Sequence, residues 1–80
     1  MSINMYNPTP GDIVLTEFLE PFGMTPSEFA YEYGISPIKM ALFIEGKIRV
    51  DVEIDMILCK AFDMGATYFF HLQQLHDERK

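Results

Sequence analysis

Cations are scarce in this sequence, six against twelve carboxylates, and three of them lie close together: Lys39, Lys47 and Arg49. Between residues 36 and 50 only Glu45 opposes them, whereas residues 1–35 carry Asp12, Glu17, Glu20, Glu28 and Glu32 with no Lys or Arg. A lone basic stretch in a chain of net charge -6 is where contact with phosphate is expected, if the chain makes any. The overall acidity argues against a protein that coats nucleic acid or lies on an anionic membrane.

Other reactive side chains form weaker patterns. His71 and His76 are five apart, about 140° round a helix, so they do not converge as i, i+4 metal ligands would. Cys59 would need a third helix to aim at the same point, and no cation or histidine stands beside it in sequence; a packed thiol is expected. Asp51, Glu53 and Asp55 alternate on a helix, which reads as an N-cap followed by a solvated face. The sequence has no Gly-rich phosphate loop, no nucleophile with a placed base and no paired acid and base. It therefore predicts no catalytic residues, no cofactor, no metal and no enzyme.

Eighty residues make one small domain, and 49% apolar with 22% charged residues is the balance of a folded chain rather than a disordered one. One cysteine allows no internal disulfide, which suits a reducing cytoplasm. No apolar run approaches a membrane span and the start lacks a signal-peptide pattern, so a soluble, unprocessed, cytoplasmic protein is expected.

The elements that must position the basic stretch are helical. Residues 1–9 read as an arm and residues 10–80 as a single domain. A first helix begins at Pro10, with Val14, Leu15, Phe18, Leu19 and Phe22 on one apolar face, and stops at Pro21 and Gly23. Thr25-Pro26-Ser27-Glu28 is a capping box that opens a short second helix ending at Gly34, and Ser36-Pro37 opens a third that runs to about Glu45. A fourth starts near Asp51 with Ile54, Ile57, Leu58, Ala61 and Phe62 at helical spacing. A fifth covers about 66–77. Of the six methionines, Met40 and either Met56 or Met64 are expected to fill core gaps.

Helices two and three, separated by Gly34-Ile35 and a cap, must turn sharply, which places a helix-turn-helix at about 26–46. Several positions constrain it together. Ala30 is small where the helices cross, Gly34 can take a left-handed conformation, and Met40 and Phe43 follow at plus six and plus nine, with Phe29 and Ile35 closing the seam. The fold class is all-α, a five-helix helix-turn-helix domain.

Motifs along nearly the whole chain resemble one family. Asn7-Pro8, Pro10-Gly11-Asp12-Ile13, Glu17-Phe18-Leu19-Glu20-Pro21-Phe22-Gly23, Gly34-Ile35-Ser36-Pro37, Glu45-Gly46-Lys47-Ile48-Arg49, Lys60-Ala61-Phe62 and Phe69-Phe70-His71-Leu72-Gln73 look like the HigA antitoxins, a branch of the Xre or Cro-repressor type of helix-turn-helix proteins. The resemblance implies a dimeric DNA-binding autorepressor of its own operon. It also implies a partner toxin, a ribosome-dependent mRNA endonuclease of the HigB or RelE type.

In such proteins the third helix enters the major groove. The positions expected at DNA are Thr25, Ser27, Ser36, Ile38, Lys39, Ala41, Leu42, Glu45, Lys47 and Arg49. The family usually has Ser or Thr at Ala41, a polar residue near Leu42 and Asn at Glu45, so this outward face is unusually apolar and acidic. That departure supports an alternative, in which the fold is kept as a protein-interaction module and sequence-specific DNA binding is lost. Tyr68, Phe69, Leu72 and Leu75 are expected at a two-fold dimer interface, with Phe69 and Leu72 turned inward. Glu17 and Glu20 are the expected meeting point with a basic toxin.

Overall fold

The computed structural model describes residues 7–79; of the expected arm, residues 1–6 lie outside the described residues. Helix α1, Pro10–Ile13, opens on a capping box in which the Asp12 amide donates to Thr9 Oγ1 at 3.1 Å and the Thr9 amide donates to Asp12 Oδ2 at 3.0 Å. The run then continues as a π-helical stretch, Val14–Leu19, and a 3-10 turn, Glu20–Phe22. Pro21 has no N–H for the Glu17 carbonyl and its ring crowds that carbonyl in α geometry, and the turn widens just before it. The widening shifts the buried face by one residue. Val14 and Leu19, five apart, are fully buried, while Phe22, expected on the apolar face, is 76% exposed. Gly23 ends the run at φ 67°.

Helix α2, Pro26–Tyr33, is held by Thr25 and Glu28 in reciprocal capping bonds of 3.1 and 2.8 Å. Gly34 at φ 77° turns the chain, its amide bonding to the Ala30 carbonyl, a conformation that β-carbon-bearing residues resist. Helix α3, Pro37–Ile44, follows, with Ser36 Oγ accepting from the Lys39 amide at 3.4 Å. Phe29, Ala30, Ile35, Met40 and Phe43 are all buried, so the helix-turn-helix closes as its spacing requires. Gly11 fixes this pair against the first helical run: a Cβ there would lie 2.0 Å from the Phe43 carbonyl oxygen. No larger residue fits without moving backbone.

Helix α4, Val52–Ala61, starts at the Asp51 cap, and helix α5, Tyr68–Glu78, begins two residues later than its pattern suggests. Asp63, between the two helices, and Thr67, where the sequence predicts helix from about 66, turn the chain left-handed at φ 57° and 68°. Phe18, Phe29, Phe62 and Phe69 join α5 to the rest through ring pairs 4.8 to 5.8 Å apart. Met40 is core and Met64 packs against it, but Met56 is 64% exposed. Asn7 and Pro8 form a strap rather than a free arm. Asn7 Nδ2 donates to the His76 carbonyl at 2.8 Å, and His76 Nδ1 lies 3.1 Å from the Pro8 carbonyl oxygen.

Candidate nucleic-acid interface

The outward side of α3 follows from its inward side. With Met40 and Phe43 buried, helical geometry sends Ile38, Ala41 and Glu45 to the surface as one stripe. Ile38, second in the helix, is 75% exposed. Leu42, expected beside them, is half-buried against the body of the domain, and so is Lys39. Thr25 and Ser27 lie exposed at the start of α2, with Thr25 Oγ1 already occupied by the Glu28 amide.

Each of the three clustered cations is met by carboxylates of the same chain. Lys39 Nζ lies 2.8 Å from Asp51 Oδ2 and 2.5 Å from Glu53 Oε1, at the start of α4. Lys47 Nζ lies 3.3 Å from Glu45 Oε1. The Arg49 guanidinium grips Asp77 on α5 with both terminal nitrogens, at 3.1 and 2.5 Å. The carboxylates of Asp51 and Glu53 hold the Lys39 ammonium above its ordinary value, and Asp77 does the same for Arg49. Burial pushes Asp51 up, but the Lys39 ammonium and the Ile54 amide outweigh it and leave this carboxyl below its ordinary value. The basic stretch read from the sequence is thus internally compensated. Asp77, twenty-eight residues from Arg49, has no local sequence signal as its partner.

The alternating acids of α4 also part company. Asp51 caps the helix, its Oδ1 accepting from the Ile54 amide at 2.8 Å, and Glu53 is solvated. Asp55, expected on that solvated face, is buried instead. It accepts from the Thr67 and Phe69 amides, both at 3.1 Å, and lies 3.6 Å from the Cys59 thiol. Cys59 is a packed thiol whose Sγ also reaches the Gly65 carbonyl at 3.2 Å.

On α5, Phe69 is fully buried within the chain and has no surface for a partner. Tyr68 and Leu72 are half-buried and Leu75 is 46% exposed, so these three remain from the expected dimer set. Gln73, buried beside them, accepts from the Val50 amide at 3.0 Å and so ties α5 to the loop after α3. Glu17 and Glu20 are both exposed on the first helical run. Among the described residues no three His, Cys, Asp or Glu side chains gather as a metal site, and no helix is long and apolar enough to cross a membrane.

No family profile matches the chain. Among curated proteins it is similar to the HTH-type transcriptional regulator YbaQ of Escherichia coli, a protein described as uncharacterized, with 30% identity over 69 residues. That match takes in 86% of this chain, which spans only 61% of the relative's length. Among solved structures, Pseudomonas aeruginosa antitoxin HigA with the higBA promoter superposes with a TM-score of 0.84 at 22% identity, covering 91% of this chain and 79% of that one. A second P. aeruginosa structure, of a protein in complex with its operator DNA, gives 0.85 at 23% identity, covering 94% and 81%. A hypothetical protein from E. coli gives 0.83 at 29% identity, covering 91% and 74%. The chain has the five-helix fold, including the helix-turn-helix, that is found in the HigA antitoxin.

Proposed function

We propose that this protein binds operator DNA through α3 and represses transcription, as an antitoxin of the HigA kind. The observation that carries the reading is the closed α2–α3 pair, which buries Met40 and Phe43 and leaves the Ile38, Ala41 and Glu45 stripe of α3 exposed. Support comes from the shared fold with two structures solved on a promoter or an operator. In this reading α3 lies in the major groove, Lys47 and Arg49 exchange their carboxylates for phosphates, and the amides near Thr25, Ser27 and Ser36 face the backbone. Two chains pair through Tyr68, Leu72 and Leu75 to place two α3 helices one DNA turn apart. A toxin of the HigB or RelE type meets the exposed Glu17 and Glu20, and charge reversal there that leaves toxin capture intact removes this part.

The test is fluorescence anisotropy of the purified protein on the duplex upstream of its own reading frame, at two salt concentrations. The expected result is binding whose log affinity falls linearly with log salt, with a shallower slope for Lys47→Ala/Arg49→Ala. No binding at low salt rejects the reading in favour of a protein-interaction module. The carboxylate partners of Lys39, Lys47 and Arg49 favour that second reading, since every one of the three cations is already matched.

A further inference from the structure

The groups that α3 can offer to base edges are few. Direct readout of the major groove relies on Arg or Lys at guanine, Asn or Gln at adenine, Asp or Glu at cytosine, and apolar side chains at the thymine C5-methyl group. Lys39 is drawn back to Asp51 and Glu53 at the start of α4, and its amide is taken by Ser36. Glu45 stands at the far end of the helix with Lys47 on its carboxylate. No Arg, Asn or Gln lies anywhere in Pro37–Ile44. What projects from the first turns, where a recognition helix meets bases, is the apolar side chain of Ile38 and the methyl of Ala41.

We infer that α3 reads pyrimidine C5-methyl groups, with Ile38 the principal contact and Ala41 beside it, so that its operator half-sites are selected by thymines rather than by a hydrogen-bond code. The inference deepens the operator-binding reading and rests on it. An aliphatic side chain that stays 75% exposed in the free domain gains from burial against a methyl what it gains from any apolar neighbour. Ala41, with no polar atom in its side chain, leaves room for that approach without imposing a donor or acceptor.

The experiment changes the DNA and leaves the protein intact. The duplex upstream of the reading frame is amplified with dTTP, with dUTP in its place, or with 5-methyl-dCTP in place of dCTP, and affinity is measured at one low salt concentration for the native chain and for Ile38→Ala. Replacing thymine by uracil should weaken the native chain by about fourfold for each methyl buried. Ile38→Ala should bind the thymine duplex more weakly and lose little more on uracil, its fold verified by an unchanged melting curve. A gain on the 5-methylcytosine duplex that vanishes in Ile38→Ala supports the same contact with a modified base as its source. Binding that ignores uracil, or that falls equally in both proteins, overturns methyl readout and leaves operator binding standing. Absence of binding to all three duplexes overturns both, and Ile38 then belongs to a protein interface.

Discussion

Three acids stand at alternate positions at the start of helix α4, the cap Asp51 followed by Glu53 and Asp55, and they serve two different neighbours. Asp51 and Glu53 face solvent and reach across to Lys39 on α3. Asp55, one step further, turns into the protein and accepts from the Thr67 and Phe69 amides, one just before α5 and one in its first turn. The difference lies in what the neighbouring helix lacks. Helices α1 to α4 each carry a capping side chain at the preceding residue, Thr9, Thr25, Ser36 and Asp51. Helix α5 follows Thr67, which sits left-handed at φ 68° and makes no side-chain cap. The Tyr68 amide finds the Gly65 carbonyl nearby, but those of Thr67 and Phe69 are satisfied from a distance, by a buried carboxylate in the role a local serine or threonine has elsewhere.

Breaking the buried member of this set should have the largest effect. Asp55→Ala strips the acceptor from the Thr67 and Phe69 amides, one of them beneath a fully buried ring, and should cost about 3 kcal/mol. Calorimetry should show a fall in Tm of about 12–24 °C for a domain of this size. Asp55→Asn should cost less, about 2 kcal/mol, because one oxygen remains while the amide NH2 faces a donor. An Asp55→Ala variant as stable as the native chain would remove the distal cap from the account. Asp51→Ala should be milder, about 1 kcal/mol, as for a helix N-cap elsewhere. Its carboxyl lies below its ordinary value of 3.8 when folded, so the associated stability is complete above that value and fades as pH falls through the depressed one. Acid unfolding of native and Asp51→Asn chains should therefore converge at low pH, and parallel curves would contradict the assignment.

These same residues mark what the sequence makes legible. Caps next to their helices are visible because donor and acceptor lie three residues apart, and the seam of Ala30, Gly34, Met40 and Phe43 is visible because its spacing admits little else. The role of Asp55 is invisible, since its partners lie twelve and fourteen residues on and nothing in alternating acids says which one turns inward. The register of the first run is lost for a related reason. Pro21 signals an end to the helix, but not that the turn before it widens and carries Phe22 outward. In the candidate interface, residue types are legible and their ion-pair partners are not all so, because Asp77 reaches Arg49 only through the docking of α5.

The smallest expected effects on stability belong to Glu53 and Asp77, the acids that hold Lys39 and Arg49, and set them apart from the buried Asp55 most sharply. Glu53→Gln loosens the grip on Lys39, and Asp77→Asn loosens that on Arg49 while keeping an oxygen for Gln73 Nε2, which donates to Asp77 Oδ1 at 3.3 Å. Exposed pairs contribute little to folding, so Glu53→Gln should melt with the native chain, and Asp77→Asn, whose carboxylate is half-buried, should stay within about 1 kcal/mol of it. Their effect belongs to binding. A phosphate that displaces a carboxylate must overcome the attraction already satisfied, and removing the carboxylate's charge removes that competition. Asp77→Asn should bind upstream DNA several-fold more tightly at low salt, the advantage shrinking as salt screens both partners. Glu53→Gln should give a smaller gain, because Asp51 still holds Lys39. Anisotropy titrations across salt test both, and equal affinity for native and Asp77→Asn chains at every salt would mean that Arg49 stays on α5 whether or not DNA is present.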